Sequence, residues 1–200
     1  MQTSMLLARL DHETRHRHAV ADSDRLALVT ATVTLEEYRR FLERVYGFEA
    51  AVETAIQMTP GLGEFVDLRS RVQLRLLKSD LTVLGVTNLA RLPRCKSVAP
   101  FRAHHEAFGW MYVLDRNQLL HGVLRRHLEK QLPPQLAIAG AYLTGNDRAA
   151  ASRLRELGDT LAVVARTAVD ADQVIVAAHA GFRCQRHWFA EIVPPRLKAA

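Results

Sequence analysis

Apolar residues in this chain recur at spacings of three, four and seven, and no stretch alternates convincingly with a period of two. Such a pattern is buried only when helices pack on helices. The sequence therefore predicts an all-α fold, a single-domain bundle of about seven or eight helices over 1–200 with its core over about 6–192. The first helix is expected over residues 5 to about 20, stopped near Asp22-Ser23-Asp24. Thr34 with Glu37 makes a capping box for the second. Leu35, Tyr38, Leu42, Val45 and Val52 line that helix, and Gly47 allows a bend. Met58 to Gly63 reads as a breaker and turn.

A third helix is expected from about Asp67 to Leu84, apolar on two sides and ended by Gly85. Leu92 to Pro100 holds two prolines and reads as a loop. A long fourth helix from Phe101 to Leu132 contains no proline, and Pro133-Pro134 breaks it. A short helix over Leu136–Leu143 follows, then one capped by Asp147 and lined by Leu154, Leu157, Leu161 and Val164. Asp170 with Gln173 is read as the cap of the last helix. Val174, Ala178, Phe182 and Phe189 form its buried side, and Pro194-Pro195 ends it.

Composition narrows the function classes. The 48% apolar and 24% charged residues are ordinary for a soluble globular chain, and the apolar runs are too short to cross a membrane. The first residues do not read as a secretion signal, so a cytoplasmic protein without membrane partners is expected. Cys95 and Cys184 make no disulfide framework and no metal spacing; both are expected reduced. The net charge of +6 is spread along the chain, which fits a mixed, solvated surface better than a nucleic-acid arm. The basic LHGVLRRHLEK lacks the interleaved aromatics that nucleic-acid contact calls for. There is no internal repeat, phosphate loop, CxxC pair or nucleophile elbow.

The candidate site begins at Leu10–Asp22, LDHETRHRHAVAD. Thr14 and His18 are four apart, on one helix face that Leu7 and Leu10 roughly share, so His18 is expected to point inward. A buried neutral imidazole is either a hydrogen-bonded core residue or a ready ligand for a metal or haem iron. His12 and His16 share a helix surface at the spacing of a zinc pair, with no third ligand in view. His104-His105 is read as an exposed pair near a helix start.

Five segments, in order, resemble the haem oxygenase family, in particular its bacterial biliverdin-producing branch. They are LARLDHETRHRHAVAD, YRRFLERVYGFEAAVE, RLLKSDLTVLG, FGWMYVLDRNQLLHGVLRRHL and AGFRCQRHWF, spread from about Leu6 to Ile192. The resemblance implies a haem oxygenase-like fold with haem, substrate and cofactor at once, held between the first and fourth helices. On the matched positions His18 would be the proximal iron ligand, with Thr14 beside it and Tyr112 in the distal-helix motif. Arg15, Arg183 and Arg186 would face the propionates. The implied activity is oxidative opening of the haem ring to biliverdin, with release of carbon monoxide and ferrous iron. It would use dioxygen and electrons from an external donor such as a ferredoxin or a reductase.

The distal helix departs from the family pattern. Where the family reads Glu-Gly-x-x-Leu-Gly-Gly, this chain reads Asp115-Arg116-Asn117-Gln118-Leu119-Leu120-His121-Gly122. The acid survives as Asp115, but three glycines that let the backbone approach an iron-bound ligand have become Arg116, Leu120 and His121. Three readings follow. The helix is displaced and oxygenase chemistry survives, with Asn117 or Gln118 ordering a distal water. Alternatively His121 ligates the iron opposite His18, and a six-coordinate haem is carried without turnover. In the third, Leu120 and His121 fill the slot and the chain is a haem-free, partner-binding scaffold.

Overall fold

In the computed structural model, which describes residues 4–29, 32–147 and 149–190, every regular element is helical. The all-α bundle follows from the apolar periodicity, and several helix limits differ from those read locally. Helix α1 (Met5–Leu26) runs through the expected stop at Asp22-Ser23-Asp24. Its buried row Leu10, Thr14, His18, Ala21, Arg25 continues past that point, and the Ser23 hydroxyl is satisfied within the helix by the Val20 carbonyl at 2.7 Å. Helix α2 (Leu35–Gln57) starts at the predicted capping box: the Glu37 N–H donates to the Thr34 hydroxyl, and the Thr34 N–H donates to the Glu37 carboxylate. Leu35 itself is exposed. The helix passes unbroken through Gly47, where a Cβ would come within 2.4 Å of the Pro93 carbonyl and 2.6 Å of the Trp188 ring. Close approach, not bending, is what that glycine permits.

Helix α3 (Leu74–Val83) is shorter than the predicted 67–84. Residues 67–73 turn instead, with Asp67 accepting from the Arg69 N–H at 3.0 Å. The helix starts where Glu53, reaching across from α2, accepts from the N–H groups of Gln73 (2.7 Å) and Leu74 (3.3 Å). The predicted fourth helix is two: α4 (His104–Gln118) and α5 (His121–Gln131). Neither proline nor glycine marks the break. The two halves separate because α4 packs on α9 and α8 while α5 packs on α6 and α7. Between them the Leu119 and Leu120 N–H groups close three-residue turns onto Arg116 and Asn117 carbonyls, each at 3.2 Å.

Helices α6 (Pro133–Ala139) and α7 (Ala141–Asp147) replace the single short helix expected over 136–143, parting at Gly140. Asp80 of α3 caps α7 from outside, accepting from the Ala141 and Tyr142 N–H groups. Helix α8 (Ala150–Val164) and helix α9 (Ala168–Ala190) complete the bundle. Thr167, not Asp170, is the α9 cap; its hydroxyl takes the Asp170 N–H while Asp170 accepts the Thr167 N–H, both at 3.1 Å. The Asp147 side chain, the Pro194-Pro195 stop and the Ile192 limit of the core lie outside the described residues.

Helix α9 is the axis of the arrangement. Both α4 and α1 lie along it, and Val174, Ala178, Phe182 and Phe189 are buried there as expected. At Gly109 the α4 backbone approaches α9 so closely that a Cβ would meet the Val174 carbonyl at 2.4 Å. Because α1 and α4 each rest on α9 and on α8, an opening remains between α1 and α4. Among the described residues no helix is long and apolar enough to cross a membrane.

Candidate functional site

The opening is a cleft of about 550 Å³. Leu7, Ala8, Asp11, His12 and Arg15 of α1 form one wall. Tyr112, Arg116 and Leu119 of α4 form the other, with Leu154 of α8 between them. Its size falls in the range of small-molecule sites, and its mainly apolar lining also carries Arg15, Arg116, the Asp11 carboxylate and His12. Tyr112 is almost fully buried, and burial pushes its phenol up to about 12. Its hydroxyl lies near the Thr14 hydroxyl without closing a hydrogen bond of good geometry, since Thr14 donates to the Leu10 carbonyl at 2.7 Å.

His18 lies one turn beyond Arg15, behind Arg116, and does not itself line the cleft. It is 6% exposed and its ring meets Phe182 of α9 at 5.9 Å between centroids. The inward orientation read from the spacing is what forms. Arg116 Nη2 lies 3.3 Å from His18 Nδ1 and 3.3 Å from Asp22 Oδ2, so one guanidinium bridges the histidine and the carboxylate. His18 Nε2 closes no hydrogen bond of good geometry, although the Asp11 backbone lies near and Asp11 Oδ1 is 3.6 Å away. Burial, and then Arg116, lowers the His18 pKa, so the ring is neutral at neutral pH.

This geometry decides whether the ring suits an iron. A neutral imidazole carries one proton and one lone pair. Arginine only donates, so its contact with Nδ1 takes that lone pair and puts the proton on Nε2. A ligating histidine needs the reverse, with Nδ1–H given to a carboxylate or carbonyl and Nε2 open. Asp22 could serve as that carboxylate, at 3.9 Å from Nδ1, but Arg116 stands on it. As arranged, these residues do not fit a haem ligated through His18. Arg116 occupies one of the positions where the resembling family has glycine, so this departure in sequence is also what closes the ligand.

The other predicted residues are not gathered at the cleft. Asp115 is buried against Arg71 at 2.6 Å, and burial holds its carboxyl up at about 6 despite that partner. Asn117 is committed to a reciprocal amide pair with Gln185 of α9, at 2.8 and 3.2 Å, and is not placed to order a water. Gln118 is 4% exposed, with its carbonyl oxygen lacking a partner. Leu120 is half-buried against the core, and its neighbour Leu119 lines the cleft instead. Arg183 and Arg186 are exposed on α9, their charges acting on His179 and Asp24.

His121 is fully buried and faces Tyr142 at 4.6 Å, away from the cleft residues, because α5 turns toward α7. Burial takes its pKa well below the ordinary value, and neither ring nitrogen meets a partner at good geometry, although the Tyr142 backbone lies near. Tyr142 donates to Glu49, which also pairs with Arg25 at 3.4 Å. This interior network of Arg25, Glu49, Tyr142 and His121 is not evident from local sequence. Arg25 alone had a signal, since it continues the row 14, 18, 21. Among the described residues no group of three His, Cys, Asp or Glu side chains is placed to hold a metal ion, so the His12–His16 pair gains no third ligand. His104 and His105 are half-buried, not exposed, and their rings meet tilted, 4.0 Å between centroids.

A scan against protein-family models finds no match, and searches of curated proteins and of solved structures find none.

Proposed function

We propose that the protein is a binding protein for a flat, apolar, carboxylate-bearing molecule of tetrapyrrole size, held in the α1–α4 cleft without iron ligation and without ring opening. The observation that carries the reading is the cleft itself: about 550 Å³ lined by Leu7, Ala8, Tyr112, Leu119 and Leu154, with two cations, Arg15 and Arg116, against the single carboxylate of Asp11. The apolar lining takes the macrocycle face, and the arginines take carboxylates. The resemblance to haem oxygenases makes porphyrins the first molecules to try. The Arg116 contact with His18 argues against turnover, because the chemistry of that family needs a neutral histidine with its lone pair on the iron. Nor does a six-coordinate arrangement gain support, since His121 lies in the Tyr142 network.

The test is a titration with haemin and, separately, with iron-free protoporphyrin IX. The two are expected to saturate one site with affinities within about threefold, a difference under 1 kcal/mol. The Soret band of the haemin complex is expected to be the same in wild type and His18→Ala. A band that changes with His18→Ala would establish iron ligation and overturn the reading. So would the absence of saturable binding by either porphyrin.

A further inference from the structure

Two cysteines 89 positions apart in the chain meet in the structure. Cys95 Sγ, in the loop before α4, lies 3.5 Å from Cys184 Sγ on α9. A disulfide needs about 2.05 Å, so the sulfurs must close by roughly 1.5 Å. We propose that this pair is an oxidisable dithiol, converted by a hydroperoxide to an intramolecular disulfide that ties the loop to α9.

The backbones carrying both residues are already held on the same stretch of α2. The Cys95 N–H donates to the Gly47 carbonyl at 3.0 Å, and the neighbouring Arg94 lies over the Tyr46 ring and bonds its hydroxyl. One turn beyond Cys184, the Trp188 indole N–H donates to the Arg44 carbonyl at 2.9 Å, and Arg44 donates to the Phe189 carbonyl at 3.0 Å. Gly47 lets Pro93 and Trp188 lie against one point of α2. Loop and helix are thus positioned by contacts other than the sulfurs.

Cys95 is 4% exposed, whereas Cys184 is half-buried. Cys184 is therefore the thiol that meets the peroxide first. The Cys184 thiolate displaces hydroxide from hydrogen peroxide and becomes a sulfenic acid; the hydroxide leaves as water with the thiol proton. The Cys95 sulfur then attacks the sulfenic sulfur. The S–S bond forms, the S–O bond breaks, and a second water departs with the Cys95 proton. The peroxide is reduced by two electrons and the two thiols are oxidised by two.

The experiment uses the full chain, reduced, desalted and exposed to stoichiometric hydrogen peroxide at micromolar protein. Expected are the loss of two hydrogens by intact mass, no labelling of either cysteine by N-ethylmaleimide, and a linked peptide pair containing Cys95 and Cys184. The oxidised monomer is expected to melt roughly 5–10 °C above the reduced one, an effect reversed by dithiothreitol and absent in Cys184→Ser. Two alkylatable thiols after treatment would overturn the proposal. Products limited to disulfide-linked dimers or sulfinic acids would do the same, and so would a cross-linked monomer that melts below the reduced one.

Discussion

One guanidinium determines what the inner end of the cleft can do. Arg116 touches both the nitrogen and the carboxylate that would otherwise face each other, His18 Nδ1 and Asp22 Oδ2. Removing it lets Asp22 accept the Nδ1 proton and frees the Nε2 lone pair. Arg116→Ala keeps helix propensity and deletes the donor. Its haemin complex is expected to show a shifted Soret band that is lost in the Arg116→Ala, His18→Ala double variant. Spectra superimposable on wild type would show that the guanidinium does not set the ring. The burial of His18 was legible in the sequence, because Thr14, His18 and Leu10 share a face by spacing alone. The Arg116 tether was not, since it joins residues 94 positions apart and no local pattern encodes such a meeting.

Helices that carry their own start signals form where those signals lie. Thr34 and Glu37 are the clearest case. Helix α3 is the opposite case: its start is set by the Glu53 carboxylate from α2, and nothing near residue 73 marks it. The α4–α5 break is likewise imposed by different packing partners and has no breaker residue of its own. The contact between α4 and α9 depends on the missing side chain at Gly109. Gly109→Ala is expected to cost about 3 kcal/mol and to lower Tm by roughly 6–12 °C. Gly63→Ala is the control, since its Cβ would meet nothing nearer than 3.9 Å; thermal melts of the two variants should separate clearly.

Across the whole molecule, apolar periodicity was enough to read an all-α bundle, whereas the cleft depends on which helices touch. Interior carboxyls also were not legible, because Glu49 and Glu53 look like ordinary helix-surface residues until α2 is enclosed. Burial lifts Glu53 to about 8, partly offset by the Gln73 N–H, while Glu49 nearby pushes it further up. The folded chain therefore retains a proton that the unfolded chain releases near the ordinary value of 4.5. Stability from this group is complete below that value and is lost as pH rises to about 8. Glu53→Gln keeps an oxygen to cap α3 and has no charge to bury. Denaturant melts from pH 5 to 8.5 should show a stability loss in wild type smaller by up to ~4 kcal/mol in the variant. Equal slopes would discard the assignment. The position of α9 at the centre has a consequence for biosynthesis. The first and fourth helices leave the ribosome well before α9, so the parts of their apolar faces that α9 covers stay exposed until Ala168–Ala190 has been made. Assembly of this bundle is thus completed only after translation of that segment.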